Sequence, residues 1–149
     1  MFRHVSIVLL AVGLVVSSAA CLGTVRLQQT LSPAFGDLTT VKLVELVDDS
    51  GVVLMRGTFS APSTDGGKIE RTAELTRPKN NEPMGEVEID VDRSTNVSEE
   101  EVNVKAKDLP YPASLKVKVD GLEIAAFSTT KDGKVDLRVW RRVTAKPSR

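Results

Sequence analysis

Counting from Asp90 as position one, Asp92, Ser94, Asn96, Ser98 and Glu101 occupy positions three, five, seven, nine and twelve, with Val97 at eight. These are the offsets at which a twelve-residue calcium loop sets oxygen ligands around a hard cation. Thr95 stands at position six, where the sharp turn of such a loop requires glycine, and the flanking residues read as strands rather than helices. The same residues suit a polar turn between two strands, because Asp, Asn and Ser bond readily to their own backbone. The spacing therefore leaves two readings open, a calcium site and a plain turn, and no other motif in the chain asks for a cofactor. Asn96-Val97-Ser98 also fits a glycosylation acceptor, a short pattern read here as coincidence.

A second chemistry would come from paired carboxylates. In Glu86-Val87-Glu88-Ile89-Asp90-Val91 the acids alternate with aliphatic residues, so a strand would carry Glu86, Glu88, Asp90 and Asp92 on one face. A pair such as Glu86 and Glu88 has the functional groups of a glycoside hydrolase, in which carboxyl separation decides the mechanism. The simpler expectation is a solvated face whose acids meet Lys105, Lys107, Lys116 or Lys118 across neighbouring strands and discourage edge-to-edge aggregation.

Other chemistries are excluded by composition. The single His is His4 and the single Cys is Cys21, both within or beside an N-terminal targeting segment. Triads built on a His base and His-containing zinc sites are thus missing from the rest of the chain. No glycine-rich phosphate loop occurs. Lys plus Arg is 20 and Asp plus Glu is 20, a net charge of +0, so no field draws the chain to nucleic acid, and none is expected as a partner. Arg138, Arg141, Arg142, Lys146 and Arg149 form a local basic excess that reads as a solvated end. A non-enzyme is the resulting expectation.

The first 21 residues have a direction of their own. Arg3 precedes an aliphatic run over Val5–Val16, and Ser17-Ser18-Ala19-Ala20 leads directly into Cys21. At about 1.5 Å per residue this run spans roughly 18 Å as a helix, short of a hydrocarbon core of about 30 Å, so cleavage fits better than an uncleaved anchor. The segment resembles the signal of bacterial lipoproteins, which implies acylation of Cys21 and attachment to a membrane through it. Ser18 departs from that pattern, which usually carries an aliphatic residue there; Ser18-x-Ala20 also suits an ordinary signal peptidase and a soluble secreted product. Leu22 lacks the Asp that the lipoprotein family associates with inner-membrane retention. With one Cys, no intramolecular disulfide is available, and packing alone must hold the fold.

The elements that must position these residues are strands. Residues 21–40, with Gly23, Pro33 and Gly36 and no sustained period, read as a lipid-anchored tether behind a cleaved signal of residues 1–20. Residues 41–143 read as the β domain and residues 144–149 as a tail. Eight strands are predicted: Val41–Val47, Val52–Phe59, Lys68–Leu75, Gly85–Val91, Glu100–Asp108, Ser114–Val119, Leu122–Thr129 and Lys134–Arg142. Apolar alternation within them argues for half-buried antiparallel strands, hence an antiparallel β-sandwich or partly open barrel of about eight strands with meander connections. Asp120-Gly121 is a two-residue hairpin signal. The alternation also leaves Trp140 on the nominally polar face. The order strand, turn, strand, Gly-Lys, strand occurs from Gly51 and again from Gly121, a possible duplication. The stretch 108–137 resembles β-meander modules of secreted bacterial proteins of unknown function, a likeness that implies fold only. Together these readings give an exported, non-catalytic domain of the cell envelope, facing the periplasm or exterior, that meets an envelope protein or polymer. A calcium-stabilised adhesion module and a carboxylate-based hydrolase stand as alternatives.

Overall fold

Each of the eight segments with an apolar face forms a strand, and together they curl until nearly every apolar face meets another. The computed structural model describes residues 23–144; the signal segment and Cys21 lie outside the described residues. The strands are β1 (Val25–Thr30), β2 (Leu43–Asp48), β3 (Val53–Thr58), β4 (Ser63–Asp65), β5 (Lys68–Thr76), β6 (Pro83–Asp92), β7 (Val97–Ala106), β8 (Ser114–Val119), β9 (Leu122–Ser128) and β10 (Val135–Thr144). A single 3-10 turn, η1 (Leu38–Thr40), lies between β1 and β2.

They form one all-β, mostly antiparallel, nearly closed barrel in the order β1-β10-β7-β6-β5-β3-β2-β8-β9, with β4 added beside β5. The meander survives only in parts. β2–β3, β5–β6–β7 and β8–β9 are consecutive antiparallel neighbours, whereas β8 crosses to β2, β10 returns to β7, and β1 pairs with β10 in parallel. The apparent duplication has no counterpart in the pairing, since β4 pairs with β5 across Gly66-Gly67 but β9 does not pair with β10. Between β1 and β9 the barrel has an open seam. It is bridged by side chains: Gln29 Nε2 donates to the Ala126 carbonyl at 2.8 Å and Thr130 Oγ1 to the Gly23 carbonyl at 2.6 Å.

The core lies inside the barrel, where Val44, Leu46, Leu75, Val87, Ile89, Val102, Val104, Leu115, Val117, Leu137 and Val139 are sealed from solvent. Tight curvature needs close backbone approaches, and glycines supply them. A Cβ on Gly85 would sit 2.2 Å from the Lys105 carbonyl oxygen, and one on Gly57 would sit 2.4 Å from that of Glu74.

The tether reading of residues 21–40 requires correction for the part described. Val25, Leu27 and Gln29 face inward on β1, and the segment that follows closes one end of the barrel as a strap. Leu31, Phe35, Leu38 and Val41 of this strap belong to the core, with Leu38 wholly buried. Two inward-facing arginines hold its carbonyls, of which that of Val41 is buried and would otherwise lack a partner. Arg71 on β5 donates to Thr39 and Val41 of the strap and to Ser60, its guanidinium lying 5.6 Å from the centre of the Phe59 ring. Arg141 on β10 donates to Ser32, Phe35 and Gly36 and pairs at 2.6 Å with buried Glu100 of β7. Asp37 caps η1 by accepting from the Thr39 N–H at 2.9 Å, and Arg93 reaches Asp37 at 3.3 Å from the β6–β7 turn. At the opposite end, Met84 and Leu109 fill the barrel mouth beneath the loops 107–113 and 129–134.

Candidate functional site

Strand register turns the acids of β5, β6 and β7 into a ridge on the outer face. Glu70 lies directly across from Asp90, Asp90 directly across from Glu101, and Glu74 across from Glu86. Like charges so placed repel, each pair costing about 0.2–1 kcal/mol relative to neutral partners. The expected relief by lysines is partial. Lys105 does face Glu86, but Lys116 pairs with Glu123 at 3.8 Å and Lys118 faces Glu45, so these two serve the other side of the barrel.

At the centre, Glu70, Glu88 and Asp90 bring carboxylate oxygens within 4.8 Å of one another. None of the three enters an ion pair among the described residues, whereas their neighbours do. Lys68 approaches Asp92 at 3.9 Å, Arg142 lies 2.9 Å from Glu99, and Arg138 pairs with Glu101. The Glu88 carboxyl is held above its ordinary range by partial burial and then by the charges of Asp90, Glu70 and Glu86, with Lys105 opposing. Partial burial and then Glu70 and Glu101 push Asp90 up as well, against the pull of Lys68. Beside the ridge, Gln28, Asp90, Asp92, Glu99, Glu101, Arg138, Trp140 and Arg142 line a cleft of about 280 Å³. Trp140 is on the outer face, 37% exposed, as the alternation implied.

The residues of the calcium spacing are divided by the hairpin that contains them. Asp90 and Asp92 lie on β6, Ser94 and Asn96 at the turn, and Ser98 and Glu101 on β7. Asp90 and Glu101 are cross-strand partners on the outer face, but Ser98 shares the inward parity of Glu100, and its Oγ is buried without a hydrogen-bond partner among the described residues. Asp92 spends one oxygen on the turn, accepting from the Ser94 N–H at 2.9 Å and from Ser94 Oγ at 2.5 Å. These bonds hold Asp92 below the usual carboxylate range. A chain folded as a hairpin does not wrap six ligands around one centre as a helix-flanked loop does. What the register assembles instead is the Glu70, Glu88 and Asp90 trio, which offers three of the six to eight oxygens calcium takes.

The two acids considered for hydrolysis also part company. Glu86 lines a shallow groove of about 770 Å³ with Glu74, Lys105 and Lys107, while Glu88 lies outside that lining. Glu70 was missed from sequence because it sits on a different strand from the run that drew attention. The turn at 77–82 was its signal, since centring the β5–β6 hairpin there sets Glu70 against Asp90.

Replacing Asp90 with Asn removes a carboxylate flanked by two others and is expected to stabilise the barrel by about 1 kcal/mol at neutral pH. A raised carboxyl pKa means that the folded state holds the proton more tightly, so wild-type stability is fullest below the unfolded pKa and declines as pH rises through the folded one. The advantage of Asp90→Asn should therefore vanish in acid, below about pH 4. Urea denaturation across pH checks this; a variant equally or less stable at pH 7 would refute the repulsion.

Comparison of the chain with family models, with curated proteins and with solved structures gives no match. The functional reading accordingly rests on the residues themselves.

Proposed function

We propose that this chain is an exported, lipid-anchored, non-catalytic barrel domain with a structural or interaction role in the cell envelope, facing the periplasm or exterior. The observation that carries the proposal is the sequence of residues 1–21, where a basic residue, an aliphatic run and small residues end on Cys21. The barrel fits the role: its interior is filled by side chains, and its polar outer face is free for a protein or polymer partner. Cys21→Ser should shift the protein from the membrane fraction to the soluble fraction of its native cells. An unchanged distribution would contradict anchoring through Cys21.

The unpaired carboxylate trio favours a second reading, a calcium-stabilised binding module centred on Glu70, Glu88 and Asp90. Under the first reading, millimolar calcium leaves the melting temperature where an equal ionic strength of sodium chloride puts it. Under the second, calcium raises it further, and Asp90→Asn removes the rise.

A further inference from the structure

The barrel holds the start of its described chain at one particular place. Thr130 Oγ1 donates to the Gly23 carbonyl at 2.6 Å, Thr24 Oγ1 to Asp132 at 3.0 Å, and the Val25 N–H to the Lys134 carbonyl at 3.0 Å. Three consecutive residues are thus clasped by the loop 129–134, at the end of the barrel opposite the strap. Gly23 stands two residues from Cys21, a reach of about 7 Å even when fully extended. A lipid on Cys21 cannot lie deep in a bilayer at that distance unless this end of the barrel meets the headgroups.

We propose that the barrel end formed by the loops 107–113 and 129–134 is a membrane-contact surface whose partner is the phospholipid headgroup layer. This rests on the lipid attachment proposed for Cys21. The side chains there suit an interface. Tyr111, between Pro110 and Pro112, is 43% exposed, and a tyrosine matches the mixed polarity of the headgroup region. Lys107, Lys131 and Lys134 are exposed on the same rim and favour anionic lipid. Of the rim acids Asp108 and Asp132, the second is engaged by Thr24. The two loops are also fixed to one another, as Leu109 N–H donates to the Gly133 carbonyl at 2.9 Å, so they present a single surface. The strap, the β6–β7 turn and the Trp140 end of the acidic ridge then point away from the bilayer, toward whatever partner the envelope supplies.

The test uses the full lipid-bearing chain in vesicles of phosphatidylethanolamine and phosphatidylglycerol. A nitroxide is placed on Lys131→Cys at the proposed contact or on Asp65→Cys at the strap end; acylation consumes the native thiol, so each label is unique. The Lys131 label should be several-fold less accessible than the Asp65 label to a water-soluble relaxing agent and more accessible to oxygen dissolved in lipid. Equal accessibility at both positions, in protein whose mass carries acyl groups on Cys21, would overturn the contact surface and leave the anchor standing. An unacylated mass would remove the anchor and this proposal with it.

Discussion

Arg71→Ala should cost the barrel roughly 3 kcal/mol and release the strap, because one buried side chain satisfies three carbonyls at once, that of Val41 buried and those of Thr39 and Ser60 partly so. Arg71 is 7% exposed and enters no ion pair among the described residues; its charge is balanced by carbonyl dipoles and the Phe59 ring. Removing it leaves the buried Val41 oxygen unpaired and the Thr39 and Ser60 oxygens without their donor, or else lets the strap lift so that water can serve Val41. Lifting forfeits the burial of Leu38 and Val41. Both routes are expensive against a total stability of about 5–15 kcal/mol for an ordinary domain. Arg71→Lys should recover only part of the loss, since an ammonium lacks the planar fork that reaches several acceptors at once. Urea denaturation gives the size, and amide exchange over residues 31–42 gives the place. A loss below about 1 kcal/mol with unchanged exchange in the strap would show that Arg71 is not its fastener.

Glu100→Ala should be costlier still, about 3–5 kcal/mol, because it strands the Arg141 guanidinium in a buried position without its carboxylate. The pair sits at 10% and 7% side-chain exposure, so solvent screens it little. Arg141 also donates to Ser32, Phe35 and Gly36, which makes the ion pair and the strap a single network. The double variant Glu100→Met with Arg141→Met should therefore lose clearly less than the sum of the two single losses, with a coupling of roughly 1–3 kcal/mol. Simple additivity would mean that the two charges act independently, contrary to their 2.6 Å contact.

These arginines show why part of the molecule was legible in the sequence and part was not. Strands such as Gly85–Val91 and Ser114–Val119 announce themselves because each second residue is aliphatic, and that period survives any choice of partner. β1 carries the same alternation in Val25 and Leu27, but Gln29 interrupts it, and the glutamine is inward because it latches the seam, a tertiary fact. β4 consists of exposed Ser63, Thr64 and Asp65 and has no apolar residue to reveal it. Arg71 and Arg141 occupy inward positions where a period of two predicts aliphatic residues. They are there to meet strap carbonyls, and no local pattern encodes that demand. The candidate site was half visible. Glu88 and Asp90 stand in a conspicuous run and Glu101 in the calcium spacing, while Glu70 arrives through register, which turns fix only once strand order is known. The calcium spacing follows offsets suited to a helix-flanked loop, and the hairpin divides its residues between two faces.

Intact mass spectrometry of the mature N-terminus tests most directly the proposal that a lipid on Cys21 carries this barrel. Protein recovered from the membrane fraction of its native cells should begin at Cys21 and carry the added mass of a diacylglyceryl group and an acyl chain. A chain that begins at Cys21 or nearby without that mass would contradict the anchor and make the barrel a soluble exported domain.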